Sequence, residues 1–361
     1  MTTTTTTTLT RPEHEVLLLG PDSTQPATSF YFPKLLRNFD WNRGFNEHYE
    51  KARAESNAWL FSLHPFSKKG QEAFEGWDFP YLAAVSYYGG SYSTFRSICD
   101  ITNVFFVIDE QTDDEPVDVV TERCEMAMDA ILRPEEPRPA RECVIGEATR
   151  QCWQRTYPDL PLVIIERFQR TWRKYLDSVI VQAENRSRKH ILHPEDYLRE
   201  RVDNIGIWPS VAIGEQCLRL EIPHECMEHP YLEDMRTWCS ELVTLQNDLF
   251  SYRKERLAND CDYNAITCVM YHLGLDLHGA VRWVSERHEA TLQKFLQTRE
   301  KVINHDGYPS YGADLDTQIA QYTGVLADWI RGNYEWSWYS KRYWTSEMAQ
   351  QARETRIVPL L

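Results

Sequence analysis

An all-α fold is predicted for this chain of 361 residues, of which 42% are hydrophobic, enough to bury a sizeable core. Apolar residues step by three and four over long segments, as Phe168, Trp172, Tyr175, Val179 and Ala183 do. This spacing places them on one face of a helix. The sequence shows no alternating runs typical of strands, no hairpin signal and no internal repeat. Helices are therefore expected nearly throughout from about residue 42.

Prolines mark most of the breaks between the periodic segments, because proline lacks a backbone N–H and disfavours helical backbone before it. The breaks predict about ten to twelve helices joined by short loops. No linker is long or polar enough to divide the globule, so residues 29–361 are predicted to form one α-helical domain. Residues 1–28 are rich in threonine and lack periodicity, which predicts a disordered leader.

The charge balance excludes one broad class of partner. The formal net charge is −15, so the chain has no basic field to neutralise nucleic-acid phosphates. A polyanionic substrate would have to arrive together with metal ions. The sequence leaves both a monomer and a homodimer open.

Cysteines and apolar runs give an expectation about the compartment. The nine cysteines are scattered, odd in number and without CxxC pairs, which is typical of a reducing environment. The apolar run at residues 16–19 is too short for a signal peptide, and no segment approaches the length of a membrane span. We therefore expect a cytoplasmic protein without stable membrane insertion.

Two polar clusters carry the chemistry in this sequence. In the first, Asp109 and Asp113 stand four residues apart at the end of a helix predicted over about residues 92–112, and Asp109 directly follows the apolar run at residues 104–108. Residues four apart lie on one side of a helix. An acid that continues a buried face needs a partner, commonly a metal ion. The alternative is an ordinary solvated helix end before Pro116.

The second cluster consists of Asn247, Ser251 and Glu255, again at steps of four, near the end of a long helix predicted from about residue 231. An amide, a hydroxyl and a carboxylate in one row supply the oxygen ligands that Mg²⁺ prefers. Such triplets also occur by chance at polar helix ends. The second cluster is therefore strong evidence only when it is considered together with the first cluster. Two such rows facing one cavity could hold several Mg²⁺ ions against a diphosphate.

Together with two further matches, these segments resemble the class I terpene synthases, in particular the single-domain sesquiterpene synthases of fungi. Arg201 lies 46 residues before Asn247 (247 − 201 = 46), where the family has a diphosphate-sensing arginine, and Arg342-Tyr343 matches its C-terminal Arg-Tyr pair. The resemblance covers about residues 30–356. It implies the helical bundle of the isoprenoid synthases and a Mg²⁺-dependent enzyme that ionises farnesyl diphosphate, cyclises the carbocation and releases diphosphate.

The resemblance also implies a role for each matched residue. Asp109 would be the main ligand of two Mg²⁺ ions, with Asp113 in support. The second cluster would chelate the third ion. Arg201, Lys254 and Arg342 would bind the diphosphate, and Tyr343 would help to hold the closed form. A helix break at residues 204–206 would couple diphosphate sensing to ionisation. The rings of Phe105, Phe106 and Trp336 would face the carbocation.

Two departures from the family pattern and two alternative functions remain. Glu110 stands where many relatives have Asp, a position that is usually not a direct ligand, and the acidic run continues through Asp114 and Glu115, so its register is ambiguous. A chain-elongating trans-prenyl diphosphate synthase is the alternative enzyme, but it would show a second Asp-rich motif in place of residues 247–255. A catalytically silent helical binding module is the other alternative.

Overall fold

The computed structural model describes residues 27–41 and 44–360. Residues 1–26, on which most of the predicted disordered leader falls, lie outside the described residues. The described residues contain fifteen α-helices, more than the predicted ten to twelve, and two short strands. The helices are α1 Tyr49–Ser62, α2 Lys68–Trp77, α3 Phe79–Ser86, α4 Tyr92–Thr112, α5 Val117–Leu132, α6 Val144–Thr156, α7 Leu162–Ser187, α8 Pro194–Asn204, α9 Ile207–Cys217, α10 His224–Met227, α11 Pro230–Ala258, α12 Ala265–Leu273, α13 Leu277–Ile303, α14 Ala313–Tyr339 and α15 Ser346–Thr355.

The core forms where the long helices pack on one another. Helix α11 packs against α13 and α14, α14 packs against α3, and α7 lies against α5, α8 and α9. On the other side of the bundle, α4 packs on α1 and α6. Aromatic residues fill much of this interior, and the largest side chains with almost no exposure include Trp153, Trp172 and Trp336.

Helix α4 has the predicted bounds, and its ends have physical causes. At its start the Ser91 hydroxyl accepts a hydrogen bond from the backbone N–H of Thr94 at 3.2 Å, which satisfies one of the donors that a helix start leaves unpaired. Val104, Val107 and Ile108 are at most 2% exposed. The apolar run before Asp109 is therefore buried, as predicted, and it carries the acidic end of α4 toward the interior.

A small sheet that the sequence analysis missed joins the two ends of the described chain. Strand β1 (Ser29–Tyr31) pairs antiparallel with β2 (Ile357–Pro359), with Phe30 opposite Val358. Each strand has three residues, which is too short for alternation to show in a sequence. The expectation of a fold without strands was wrong at this point, although the fold class is all-α.

Two other expectations concern cysteines and membranes. All nine cysteines are free thiols, and seven of them are buried. Within the part of the chain that the structure describes, no helix has the length and hydropathy needed to cross a bilayer.

Candidate functional site

A cavity lies among the helices, and the space within it, with the open solvent at its entrance, amounts to about 1820 Å³. Its wall is formed by helices α3, α4, α7, α8, α9, α11 and α14 and by the segments after α7, α11 and α14. The structure brings all twelve residues singled out in the sequence to this cavity. They are Phe105, Phe106, Asp109, Asp113, Arg201, Asn247, Ser251, Lys254, Glu255, Trp336, Arg342 and Tyr343.

The first cluster contains three carboxylates, one more than the two predicted ligands. Oxygen atoms of Asp109, Glu110 and Asp113 lie within 4.8 Å of one another. Burial, and then the neighbouring Asp109 carboxylate, raise the pKa of Asp113 well above its usual range. Asp114 is exposed and does not line the cavity. The cavity side of the acidic run is therefore Asp109 and Asp113, which resolves the ambiguity of register.

Arg342 closes over this cluster. Its Nη2 donates to Asp109 Oδ2 at 2.9 Å and its Nη1 donates to Glu110 Oε1 at 2.7 Å. The Arg342 side chain is only 9% exposed. Burial by itself lowers the pKa of Arg342, but the carboxylates of Asp109 and Glu110 outweigh burial and raise that pKa above its usual range. A permanently charged donor therefore sits directly beside the acidic cluster.

The second cluster lies deeper along α11 and has neighbours of its own. Ser251 is 4% exposed, and Asn264 Nδ2 donates to Glu255 Oε2 at 2.8 Å. Burial, and then the nearby Asp248 carboxylate, raise the pKa of Glu255 to about 7. Asn264 was missed in the sequence. Its place before an apolar run is typical of a helix N-cap, which it is, but that signal does not reveal the contact with Glu255.

Asp248 belongs to the framework behind this cluster. Its Oδ2 accepts hydrogen bonds from the Tyr197 hydroxyl and the Ala265 backbone N–H, both at 2.9 Å. Asn264 Nδ2 also donates to the Asp248 backbone carbonyl at 3.0 Å. These bonds fix α11 to α8 and to the start of α12, and they hold the row of residues 247, 251 and 255 toward the cavity.

Polar contacts link the second cluster to the predicted diphosphate-binding residues. Arg201 Nη2 donates to Asn247 Oδ1 at 3.4 Å, and Arg201 Nη1 donates to Asn204 Oδ1. Asn247 Nδ2 in turn donates to the Tyr343 hydroxyl at 3.0 Å. Asn247 therefore joins α8 to the segment after α14, and Arg201 joins the cavity to the end of α8.

The predicted helix break after Arg201 is present. Helix α8 ends at Asn204 and α9 begins at Ile207, with Gly206 between them at φ +73°. This left-handed backbone favours glycine. A Cβ at Gly206 would lie 3.3 Å from the Phe105 ring and 3.7 Å from the Tyr175 ring. The break therefore packs directly against the aromatic wall of the cavity.

Aromatic rings also line the cavity. Phe79 and Phe106 are stacked with ring centroids 3.5 Å apart, and Phe106 and Trp336 lie 5.9 Å apart. Phe105, the neighbour of Phe106 on α4, meets Tyr175 of α7 edge to face at 5.0 Å. Trp336 Nε1 donates to the Trp77 carbonyl at 2.9 Å. The three predicted rings are therefore held in place by further rings, of which Phe79 and Tyr175 were not anticipated.

More basic residues stand at the mouth than the sequence analysis proposed. Arg186, Lys189 and His190 from the end of α7 line it. Arg186 Nη2 donates to the backbone carbonyls of Thr112 and Glu115, at 3.1 and 2.8 Å. Arg186 thus holds the end of α4, where the first cluster sits. No motif marks these residues in the sequence, because only the fold brings the end of α7 to α4.

The donor set fits hard divalent cations. Three carboxylates gather on α4, and an amide, a hydroxyl and a carboxylate line up on α11. All of these ligands offer oxygen, which suits Mg²⁺ better than it suits Zn²⁺. Neither cluster contains histidine or cysteine.

Comparison with known proteins agrees with this geometry. Residues 100–294, which include both clusters and Arg201, match the family model described as terpene synthase family 2, C-terminal metal binding. The chain belongs to the terpene synthases. It is 38% identical to sesquiterpene synthase 14 of Postia placenta over 94% of each chain. It is also 38% identical to a Delta(6)-protoilludene synthase of Stereum hirsutum, over 92% of this chain and 88% of that one.

Solved structures show that the terpene synthase fold is shared. The structure of α-eudesmol synthase matches with a TM-score of 0.75 at 24% identity, covering 82% of this chain and 97% of that one. Hedycaryol synthase, solved in complex with HEPES, matches with a TM-score of 0.71 at 20% identity, covering 85% and 98%. The predicted family and the predicted all-α class I fold are confirmed.

Proposed function

We propose that this terpene synthase is a Mg²⁺-dependent sesquiterpene synthase that ionises farnesyl diphosphate, cyclises the resulting carbocation and releases diphosphate. One observation carries the proposal. Two rows of oxygen ligands, several cationic side chains and three aromatic rings line a single cavity. The polar groups suit a diphosphate and the rings suit a hydrocarbon chain. The relatives named as sesquiterpene synthases support the same substrate class.

Asp109 and Asp113 would hold two Mg²⁺ ions, and Asn247, Ser251 and Glu255 would hold a third. Bound metal neutralises the charge that grows on the departing diphosphate. Because three carboxylates crowd together on α4, the first cluster gains most from a counter-cation. Arg342 supplies one such cation through its bonds to Asp109 and Glu110.

The protein's own donors would share the leaving group's charge. Arg201, Lys254 and Arg342 reach the cavity from three separate elements. Preplaced donors of this kind are each worth about 10²- to 10³-fold in rate when they meet charge that develops in the transition state. Tyr343 lies beside Arg342 and accepts a hydrogen bond from Asn247, so it would hold the closing segment against α11.

The aromatic wall would then protect and guide the cation. Ring faces stabilise a cation by about 0.5–2 kcal/mol each. Phe105, Phe106 and Trp336 line the cavity. These rings offer no lone pair that would capture the cation readily, and a closed site excludes the water that would quench it.

One incubation tests the proposal. Purified protein with farnesyl diphosphate and Mg²⁺ should release a C15 hydrocarbon or alcohol that headspace gas chromatography detects, together with one equivalent of diphosphate. EDTA should abolish turnover and added Mg²⁺ should restore it. Turnover in EDTA would contradict the metal assignment. A longer prenyl diphosphate on addition of isopentenyl diphosphate would favour the elongating alternative, and substrate binding without turnover would favour the silent module.

A further inference from the structure

Trp77, at the end of α2, contacts two of the cationic residues of the cavity without lining the cavity itself. The guanidinium carbon of Arg342 lies 4.8 Å from the centroid of the Trp77 ring, and the Lys254 ammonium lies 5.7 Å from it. Arg342 comes from the segment after α14, and Lys254 comes from α11. One indole is therefore shared by two cations that reach the diphosphate region from different parts of the fold.

The backbone around Trp77 holds the segment that carries Arg342. The Trp77 carbonyl accepts hydrogen bonds from the Ser340 hydroxyl and from Trp336 Nε1, both at 2.9 Å. The Gly76 carbonyl accepts one from the Lys341 backbone N–H at 3.3 Å. The corner between α2 and α3 thus fixes the backbone immediately before Arg342, while the ring of Trp77 contacts the Arg342 side chain.

Arg342 makes two kinds of contact. Its N–H groups donate to Asp109 and Glu110, whereas the Trp77 ring attracts the guanidinium as a cation and accepts none of these hydrogen bonds. A diphosphate that competes for the N–H groups leaves the ring contact in place. Trp77 can therefore keep Arg342 in position while the N–H groups change partners from carboxylate to diphosphate.

We propose that Trp77 is a positioning residue that preorganises Arg342 and Lys254 for the diphosphate. The inference rests on the proposed function for its ligand, but its geometry stands on contacts within the protein alone. A cation–π contact is worth about 0.5–2 kcal/mol. Since 1.4 kcal/mol is tenfold in affinity, loss of the ring is expected to weaken diphosphate binding by about 2- to 30-fold.

The test compares four variants. Trp77→Leu and Trp77→Met remove the ring face but keep the carbonyl that anchors Ser340, and the two differ in how they fill the space, which separates a packing defect from loss of the ring. Trp77→Phe keeps a ring face. Trp59→Leu is the matched control, because Trp59 lies 4.2 Å from the Arg155 guanidinium and lies outside the cavity wall.

Calorimetric binding of inorganic diphosphate with Mg²⁺ is the first measurement. Trp77→Leu and Trp77→Met should both weaken binding within the stated range, while Trp77→Phe stays within about twofold of the parent protein and Trp59→Leu is unchanged. Unchanged affinity in Trp77→Leu would overturn the proposal. So would equal losses in Trp77→Phe and Trp77→Leu, because a ring would then make no difference.

Hydrogen exchange of the metal-free protein is the second measurement and does not depend on the reaction. Amides of residues 340–345 should exchange faster in Trp77→Leu than in the parent protein or in Trp59→Leu. Equal exchange would overturn the proposal. If the parent protein forms no terpene from farnesyl diphosphate, the proposed function fails, and the exchange result still decides whether Trp77 positions Arg342.

Discussion

The two ligand clusters of the cavity differ in how the protein holds them. The first ends helix α4, keeps part of its surface exposed, and gathers three carboxylates, two of which bond to Arg342. The second lies inside α11, has one carboxylate, and is braced by Asn264 at the start of α12. The first cluster is rich in charge and held by a cation, whereas the second is nearly neutral and held by hydrogen bonds.

The difference predicts that the two clusters respond differently to substitution. Excess negative charge binds cations strongly but is costly to keep together. A row with a single carboxylate binds more weakly and depends on exact placement, which a helix interior with a fixed neighbour provides. We therefore expect substitutions in the first cluster to act mainly through charge, and substitutions around the second to act mainly through geometry.

The largest effect is expected from Asp109→Asn and from Asn247→Ala. Each removes a proposed metal ligand, and loss of charge stabilisation in the transition state is expected to lower turnover by about 10²- to 10³-fold. Turnover with farnesyl diphosphate and the far-ultraviolet circular dichroism spectrum are measured together. Asp114→Asn, at the exposed neighbour outside the cavity, is the control and should be near normal. Near-normal turnover of Asp109→Asn would remove Asp109 from the metal site.

A smaller effect is expected from Asn264→Ala, at a residue that contacts the second cluster and not the first and that also caps α12. It removes the donor to Glu255 Oε2 and leaves all three first-cluster carboxylates in place. Loss of a partner that orients a ligand typically costs about 10- to 100-fold in metal affinity. The Mg²⁺ concentration for half-maximal turnover should rise accordingly. If that concentration stays unchanged, Asn264 does not support the metal row.

A change in products more than in rate is expected from Phe106→Ala and from Trp336→Ala. Both rings line the same cavity as the two clusters, and under the proposed function they would guide the cation after ionisation. Each ring is worth about 0.5–2 kcal/mol to a nearby cation, which limits the loss of turnover to about 30-fold. Gas chromatography should show a redistributed product profile. An unaltered profile in both variants would exclude these rings from the region that the cation reaches.

The smallest effect concerns pH and stability of the metal-free protein. Burial and Asp248 raise the pKa of Glu255 to about 7, above its ordinary value of about 4.3. A raised folded-state pKa stabilises the protein fully below the ordinary value, and this contribution is lost as the pH rises through about 7. Unfolding in EDTA at pH 5.5 and pH 8 should show lower stability at pH 8. The Glu255→Gln variant should lose less stability than the parent protein between pH 5.5 and pH 8.

The slope of stability against pH will be reduced in Glu255→Gln but not abolished. Glu215, paired with Arg167 far from either cluster, also has a pKa that burial raises to about 7, so it keeps a share of the pH dependence. An identical slope in Glu255→Gln and in the parent protein would contradict the raised pKa of Glu255.

Periodicity predicted the long helices well. The bounds of α4 matched, and α11 begins at Pro230, one residue before its predicted start, because both helices carry long runs of buried positions. The number of helices was underestimated where breaks are very short. Helices α2 and α3 are separated by Asp78 alone, in left-handed backbone at φ +53°. A one-residue break leaves the apolar pattern almost uninterrupted.

Motif residues of the site could be named from the sequence, but their supporting neighbours could not. Asp109 and Asn247 stand in recognisable spacing. Trp77 and Arg186 act through contacts with residues far along the chain, and no local pattern encodes such contacts. The hydrogen bond between Glu110 and Arg342, 232 positions away, could not be predicted for the same reason.

The joint between α8 and α9 limits how the cavity can be redesigned. Any side chain at position 206 must adopt a backbone geometry that suits glycine and would also press on Phe105. Variant libraries designed to yield new terpenes would gain little from substitutions at this position. Substitutions are better introduced at Leu82, Val179 and Val243, which line the same cavity. These residues lie on regular helices whose backbone accepts larger or smaller residues.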